Sequence, residues 1–122
     1  MIHVIYRWRV QAGQEATFAA AWTRGTDAIR QLIKGAQGSL LVRSQQQPTE
    51  FIAIAQWESL ADWQAFSRGS LPDDEALQRL SAVSTMLSTE VCEEVYDLVS
   101  AEADSATGHP VESARSDMAM AR

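Results

Sequence analysis

Apolar and polar positions alternate over residues 2–10, with Ile2, Val4, Tyr6, Trp8 and Val10 on one side and His3, Ile5, Arg7 and Arg9 on the other. A period of two carried by β-branched and aromatic side chains predicts a strand, ending at Gln11-Ala12-Gly13, where glycine permits a turn. From Gln14 the period lengthens. Phe18, Trp22, Ile29 and Leu32/Ile33 form one stripe of an amphipathic helix. Gly25 sits beside that stripe; it costs about 1 kcal/mol against alanine but allows a neighbouring element to come close. Gly35 and Gly38 supply the C-terminal and turn positions.

SLLVRS (39–44) and EFIAIAQW (50–57) predict two further strands, with Pro48 in the loop between them, where no ladder hydrogen bond is needed. The 50–57 strand is apolar on both faces: Phe51, Ala53, Ala55 and Trp57 against Ile52 and Ile54. Such a strand is central in its sheet or covered by a second molecule. Ser59-Leu60-Ala61-Asp62 has the form of a helix N-terminus, a hydroxyl acceptor followed by an acid where the dipole is positive. The short helix it opens carries Leu60, Trp63 and Phe66 and stops at SRGS. Pro72 with Asp73, Asp74 and Glu75 starts another helix, striped by Leu77, Leu80, Val83 (or Ser84) and Leu87. A last strand is predicted over EVCEEVYDLV (90–99). Residues 100–122 offer little apolar area beyond Val111, Met118 and Met120 and read as a polar C-terminal tail on a 1–99 domain.

The order β-α-β-β-α-α-β predicts an α+β, ferredoxin-like fold, a four-stranded antiparallel sheet with helices on one face. One helix layer leaves the other sheet face bare, and a bare apolar sheet is a liability. A homodimer packed through that open face is therefore expected.

Charge and cysteine content narrow the partners. The net charge is -6, and residues 1–99 alone hold twelve acids and eight bases, with no clustered basic surface for nucleic acid. Cys92 is the single cysteine, so neither an intramolecular disulfide nor a cysteine-based zinc site can form. MIHVIYRWRV lacks a basic n-region and is interrupted by Arg7 and Arg9, which fits neither a signal peptide nor a membrane span. A cytoplasmic protein without a membrane or nucleic-acid partner is the expectation.

The segments VIYRWRVQAGQEATFAAAWTRGTDAIRQ and FIAIAQWESLADWQAF resemble the antibiotic biosynthesis monooxygenase domain, a dimeric α+β barrel. The resemblance rests on Gly13, Phe18, Trp22, Trp57-Glu58-Ser59, Trp63 and Phe66 and extends in element order over about residues 2–99. It implies a cofactor-independent monooxygenase in which an electron-rich phenolate or enolate reduces oxygen itself, while the protein supplies a dry aromatic pocket and a few hydrogen bonds. The alternative is a non-catalytic small-molecule-binding or interaction dimer of the same fold. Haem-degrading members place a histidine after the aromatic helix and an asparagine on the first strand. Gly69 to Leu87 has no histidine and residues 2–10 no asparagine, so the resemblance disfavours haem degradation. No cofactor and no metal are expected.

On this reading the pocket residues are Tyr6, Trp22, Trp57, Trp63 and Phe66. Packing alone also accounts for the indoles, each of which buries about 200 Å². Tyr6 and Trp8 line either the core or the dimer seam, with Tyr6 expected on the core side. Arg43 is the candidate for stabilising an oxyanion and His3 the candidate base. The competing readings are inter-subunit or cross-strand ion pairs for Arg7 and Arg9, for example with Glu93, Glu94 or Asp97, and a solvated or hydrogen-bonded role for His3. His109 falls in the tail.

Overall fold

The chain runs β1 (Ile2–Val10), α1 (Glu15–Leu32), β2 (Ala36–Arg43), β3 (Glu50–Trp57), α2 (Leu60–Arg68), α3 (Asp74–Ala82) and β4 (Ser84–Glu93) in a computed structural model that describes residues 1–99. The segment 100–122, read above as a polar tail, lies outside the described residues. The four strands form one antiparallel sheet in the order β2-β3-β1-β4, so the two strands with the most apolar sequences are the central pair. The α+β, ferredoxin-like expectation holds.

Register decides which side chains meet the helices. Val4 pairs with Ala55, Tyr6 with Ala53 and Trp8 with Phe51, and Val4, Trp8, Val10, Phe51, Ala53 and Trp57 are all buried. Phe18 and Ala21 from α1 and Leu80 from α3 close over Trp8, Val10, Phe51 and Ala53. Trp8 meets Phe18 edge-on at 5.3 Å between centroids, and Phe18 meets Phe51 at 5.1 Å, separations at which aromatic pairs attract beyond simple burial. Tyr6 lies on this helix-facing side, as expected.

The opposite face carries Ile5, Ile52 and Ile54, with Leu40 59% exposed and Val42 39% exposed at the β2 edge. The register sets Leu40, Ile54 and Ile5 in one row and Val42 and Ile52 in the next, a continuous apolar patch on the face away from the helices.

Two elements begin earlier than the sequence pattern suggests. β2 starts at Ala36, with an irregularity between Ala36 and Gly38. More substantially, the last strand is Ser84–Glu93 and not 90–99. Val83 and Leu87 continue the three-to-four spacing of Leu77 and Leu80, and so mimic a longer helix. α3 in fact ends at Ala82. β4 then pairs along β1 from Val10↔Ser84 to Ile2↔Glu93, which consumes the whole of β1. Beyond Glu93 the Glu94 N–H still donates to the Met1 carbonyl at 3.1 Å, but β1 has by then run out, and Val95 and Tyr96 stand 95% and 76% exposed. A bulge opposite Arg7/Trp8 leaves Leu87 without a register partner. That one-residue offset brings Met86 and Ser84, not Leu87, onto the helix-facing side.

The helix termini follow local chemistry. Ser59 Oγ accepts from the Asp62 N–H at 3.1 Å, and the Asp73 carboxylate accepts from the Ala76 N–H at 3.1 Å. That backbone bond, with help from Arg24, holds the Asp73 carboxyl below its ordinary value. Arg24 Nε donates to Asp73 at 2.7 Å and ties α1 to the start of α3. Gly25 is buried where α3 crosses α1, and a Cβ there would lie 3.0 Å from Leu77 Cδ2. The close approach anticipated for this glycine is therefore present.

Gly35 holds the turn into β2. Its φ is +86°, and a Cβ would fall 2.5 Å from Cγ of Asp62, while its carbonyl accepts from the Glu58 N–H at 2.8 Å. Both the left-handed backbone and the lack of space demand glycine. Gly35→Ala is expected to lower the unfolding free energy by at least about 1–2 kcal/mol, read as a lower urea midpoint at unchanged slope.

Candidate functional site: an aromatic cavity under the helices

Between the sheet and the helices lies a cavity of about 380 Å³, within the size range of small-molecule sites. Its floor is small: Ala53 and Ala55 of β3 and Ala36 and Ser39 of β2. Its walls are large. Tyr6 and Trp8 rise from β1, Trp22 and Ile29 come down from α1, and Leu77 and Leu80 from α3. Trp57 and Phe66, one at the end of β3 and the other in α2, close one side with ring centroids 5.0 Å apart. Leu71 and Met86 line the same space but are 37% and 47% exposed, and so stand at its mouth.

Thr26, Arg30, Ser39, Gln56, Ser81 and Ser84 join Tyr6 as polar side chains of the lining, and two of them are committed to protein partners. Ser84 Oγ donates to the Leu80 carbonyl at 2.7 Å. Arg30 donates to Asp27 at 2.7 Å, a bond that, ahead of one from Gln31, holds the Asp27 carboxyl below its ordinary value. Tyr6 is different. Its phenol oxygen accepts from Trp63 Nε1–H at 3.1 Å, which leaves its own O–H free to donate elsewhere. Burial pushes the Tyr6 phenol above its ordinary value, and the Trp63 bond opposes that shift without overcoming it. At neutral pH Tyr6 is therefore a protonated donor and not a base. Tyr6 also stacks on Trp8, at 5.7 Å and 22° between planes, which fixes the ring further.

Of the pocket residues expected from sequence, Tyr6, Trp22, Trp57 and Phe66 line the cavity. Trp63 is not part of the lining and acts on it through Tyr6. The two residues expected to carry chemistry lie elsewhere. Arg43 is exposed at the far end of β2, its guanidinium carbon 6.0 Å from the centroid of the Phe51 ring. His3 is on the sheet face away from the helices, and its Nε2 lies 2.9 Å from Glu94 Oε1. The cavity is built without either. Arg7 and Arg9 face Ser88 and Thr85 across β4, while Glu93 stands opposite Ile2 at the other end of the ladder. The suggested cross-strand pairing with Glu93 is thus ruled out by register.

Sequence reasoning missed Ser39, Met86 and Leu71. Ser39 was legible in principle, since alternation puts it on the same side as Leu41; Met86 depends on the bulge and Leu71 on the path of a loop. Among the described residues no group of three or more His, Cys, Asp or Glu side chains could hold a metal ion, and no helix is long and apolar enough to cross a membrane.

A sequence profile described as antibiotic biosynthesis monooxygenase matches residues 1–71, more than half of the chain. The chain belongs to the antibiotic biosynthesis monooxygenase family. Among solved structures it is similar to SnoaB, a cofactor-independent oxygenase from Streptomyces nogalater, at 19% identity over 80% of this chain and 96% of that one, with a TM-score of 0.67. A candidate antibiotic biosynthesis monooxygenase from Bordetella bronchiseptica is similar at 22% identity over 78% and 97% of the two chains, TM-score 0.68. At such identities these structures establish the shared fold. No curated protein matches the chain.

The buried phenol gives stability a pH signature. A folded-state value raised above the ordinary 10.0 means that the native state keeps its proton when the unfolded chain has lost it. This contribution is complete below about pH 10 and is lost as pH rises through the folded value. Tyr6→Phe is expected to cost about 1 kcal/mol near neutrality, because Trp63 Nε1 loses its acceptor. It should also flatten the decline of stability above pH 10, measured by urea unfolding across an alkaline series.

Proposed function

We propose that the protein is a cofactor-independent monooxygenase that oxidises an aromatic or quinol-type small molecule with O₂ in the cavity under the helices. The observation that carries this reading is the Tyr6–Trp63 hydrogen bond at the edge of an aromatic-walled space. It holds a protonated hydroxyl ready to donate into a site walled mainly by aromatic and aliphatic side chains.

An ionised phenol or enol bound there would accept from Tyr6 Oη–H, and a donor in a low-dielectric site favours an oxyanion far more than water does. The bound anion is itself the reductant. For a methylene substrate, one oxygen atom of O₂ becomes the new carbonyl, the other leaves as water with the two hydrogens lost from carbon, and no external electron donor is needed. Trp22, Trp57 and Phe66 supply the flat walls that hold a ring and exclude water. Arg43 and His3 contribute no contact to this protomer's cavity, so the reading assigns them no part in the reaction.

The active unit in this reading is a homodimer. Leu40, Val42, Ile5, Ile52 and Ile54 form an apolar patch that a second copy would cover, leaving both cavities on the outer, helical sides. A non-catalytic binding dimer would use the same cavity without turnover.

Oxygen consumption with anthrone or a substituted hydroquinone separates the two. The enzyme reading expects uptake above the uncatalysed rate, reduced by about tenfold or more in Tyr6→Phe. Quenching of tryptophan fluorescence with no oxygen uptake would instead identify a binder. Sedimentation over a dilution series is expected to give a dimer at micromolar concentration, and a stably folded monomer there would remove the dimer from the reading.

A further inference from the structure

We propose that Ser39 is a second anchor of the cavity, one that selects fused-ring ligands carrying an oxygen substituent at the end remote from Tyr6. This deepens the ligand-cavity reading above and rests on it. Ser39 lines the cavity, yet its Oγ is buried and meets no hydrogen-bond partner. It is the one buried side-chain polar atom among the described residues with this property. Buried hydroxyls in folded proteins are almost always paired, so an unpaired one marks a place where a partner is missing.

The other polar groups of the lining do not share this state. Ser84 is committed to the Leu80 carbonyl and Arg30 to Asp27. Ser39 is held on the cavity side by register, opposite Ala55, whose neighbours Ala53 and Trp57 on the same face are buried. Thr26 adds a second hydroxyl to the same lining from α1. In the unliganded state the Ser39 Oγ is closed off, and a turn of χ1 between staggered wells is the movement that would present it to a ligand.

The sheet also sets the spacing of the two anchors. Tyr6 pairs with Ala53 on β3, and Ser39 pairs with Ala55 from the opposite side. Their backbone positions are thus separated by two strand spacings, about 10 Å across the sheet, and by two residues, about 7 Å along it. The diagonal between them crosses β3 at Ala53 and Ala55. On that backbone spacing, a rigid ligand of two or three fused rings, oxygenated at both ends, matches the alanine floor better than a single ring. A hydroxyl can donate to a ligand carbonyl, or donate to or accept from a ligand hydroxyl.

The test uses two redox-quiet probes with the same ring system, 2,6-dihydroxyanthraquinone and 2-hydroxyanthraquinone, which differ only in the distal hydroxyl. Affinities are read from tryptophan fluorescence under nitrogen for wild type and Ser39→Ala. Wild type is expected to prefer the doubly hydroxylated probe by about tenfold, and Ser39→Ala to bring the two affinities within a factor of about two. Equal affinities in wild type, parallel weakening of both probes in the variant, or no binding of either would overturn the proposal. Thermal unfolding without ligand guards against a trivial folding defect. Removing an unpaired hydroxyl should leave the melting temperature unchanged or raised, and a drop of several degrees would mean that Ser39 has a structural partner, which also overturns the proposal. Binding is scored without oxygen, so a probe preference in a protein that fails to consume oxygen would retain Ser39 as an anchor while rejecting the monooxygenase reading. Oxygen uptake without the preference would do the reverse.

Discussion

Close packing between a sheet and its helices normally leaves no space larger than a water molecule. Here the pairing of β1 with β3 sets the two largest inward side chains of β1, Tyr6 and Trp8, beside a β3 strand whose inward positions run Phe51, Ala53, Ala55, Trp57. Bulk at the ends and methyl groups in the middle mean that α1 and α3 rest on aromatic supports and span the alanines between them. The cavity follows from that register. A slip of one residue would exchange Ala53 and Ala55 for Ile52 and Ile54 on the helix side, fill the space, and put the aromatic residues in water.

The same arrangement explains why the indoles cluster around one strand-to-helix joint. Trp57 ends β3, Ser59 caps α2 two residues later, and the cap fixes the direction in which α2 departs. Gly35 braces that joint from the other side by accepting from the Glu58 N–H while leaving room for Asp62. With α2 so aimed, Phe66 packs on Trp57 and Trp63 reaches Tyr6. Packing and pocket formation are therefore one set of contacts seen from two sides. The aromatic groups that stabilise the joint also wall the cavity and orient its phenol.

Electrostatics divides the molecule in a complementary way. The cavity lining on the helix-facing side holds one charged residue, Arg30, which is paired with Asp27. The ionisable strand residues His3, Arg7 and Arg9 lie on the other face, around an apolar patch. A lining poor in fixed charge offers hydroxyl donors and flat apolar walls in place of a counter-charge. This fits a family whose sequence profile covers residues 1–71, the span from β1 through the loop beyond α2 that supplies most of the walls.

Periodicity alone determined the element types and their order, because alternation and helical spacing are local consequences of burial on one side. It determined the inward set of β1, the S-x-x-D cap, and the aromatic residues that became walls. The start of β4 was not legible, since Val83 and Leu87 satisfy a helical spacing and only the length of β1 available for pairing excludes it. Arg43 and His3 attracted attention as polar groups on apolar strands. Which face and which end of the sheet they occupy follows from strand order, a long-range property that no local pattern contains. The space above Ala53 and Ala55, the Tyr6–Trp63 bond and the unpaired Ser39 hydroxyl belong to the tertiary structure alone, because each joins residues from elements far apart in the chain.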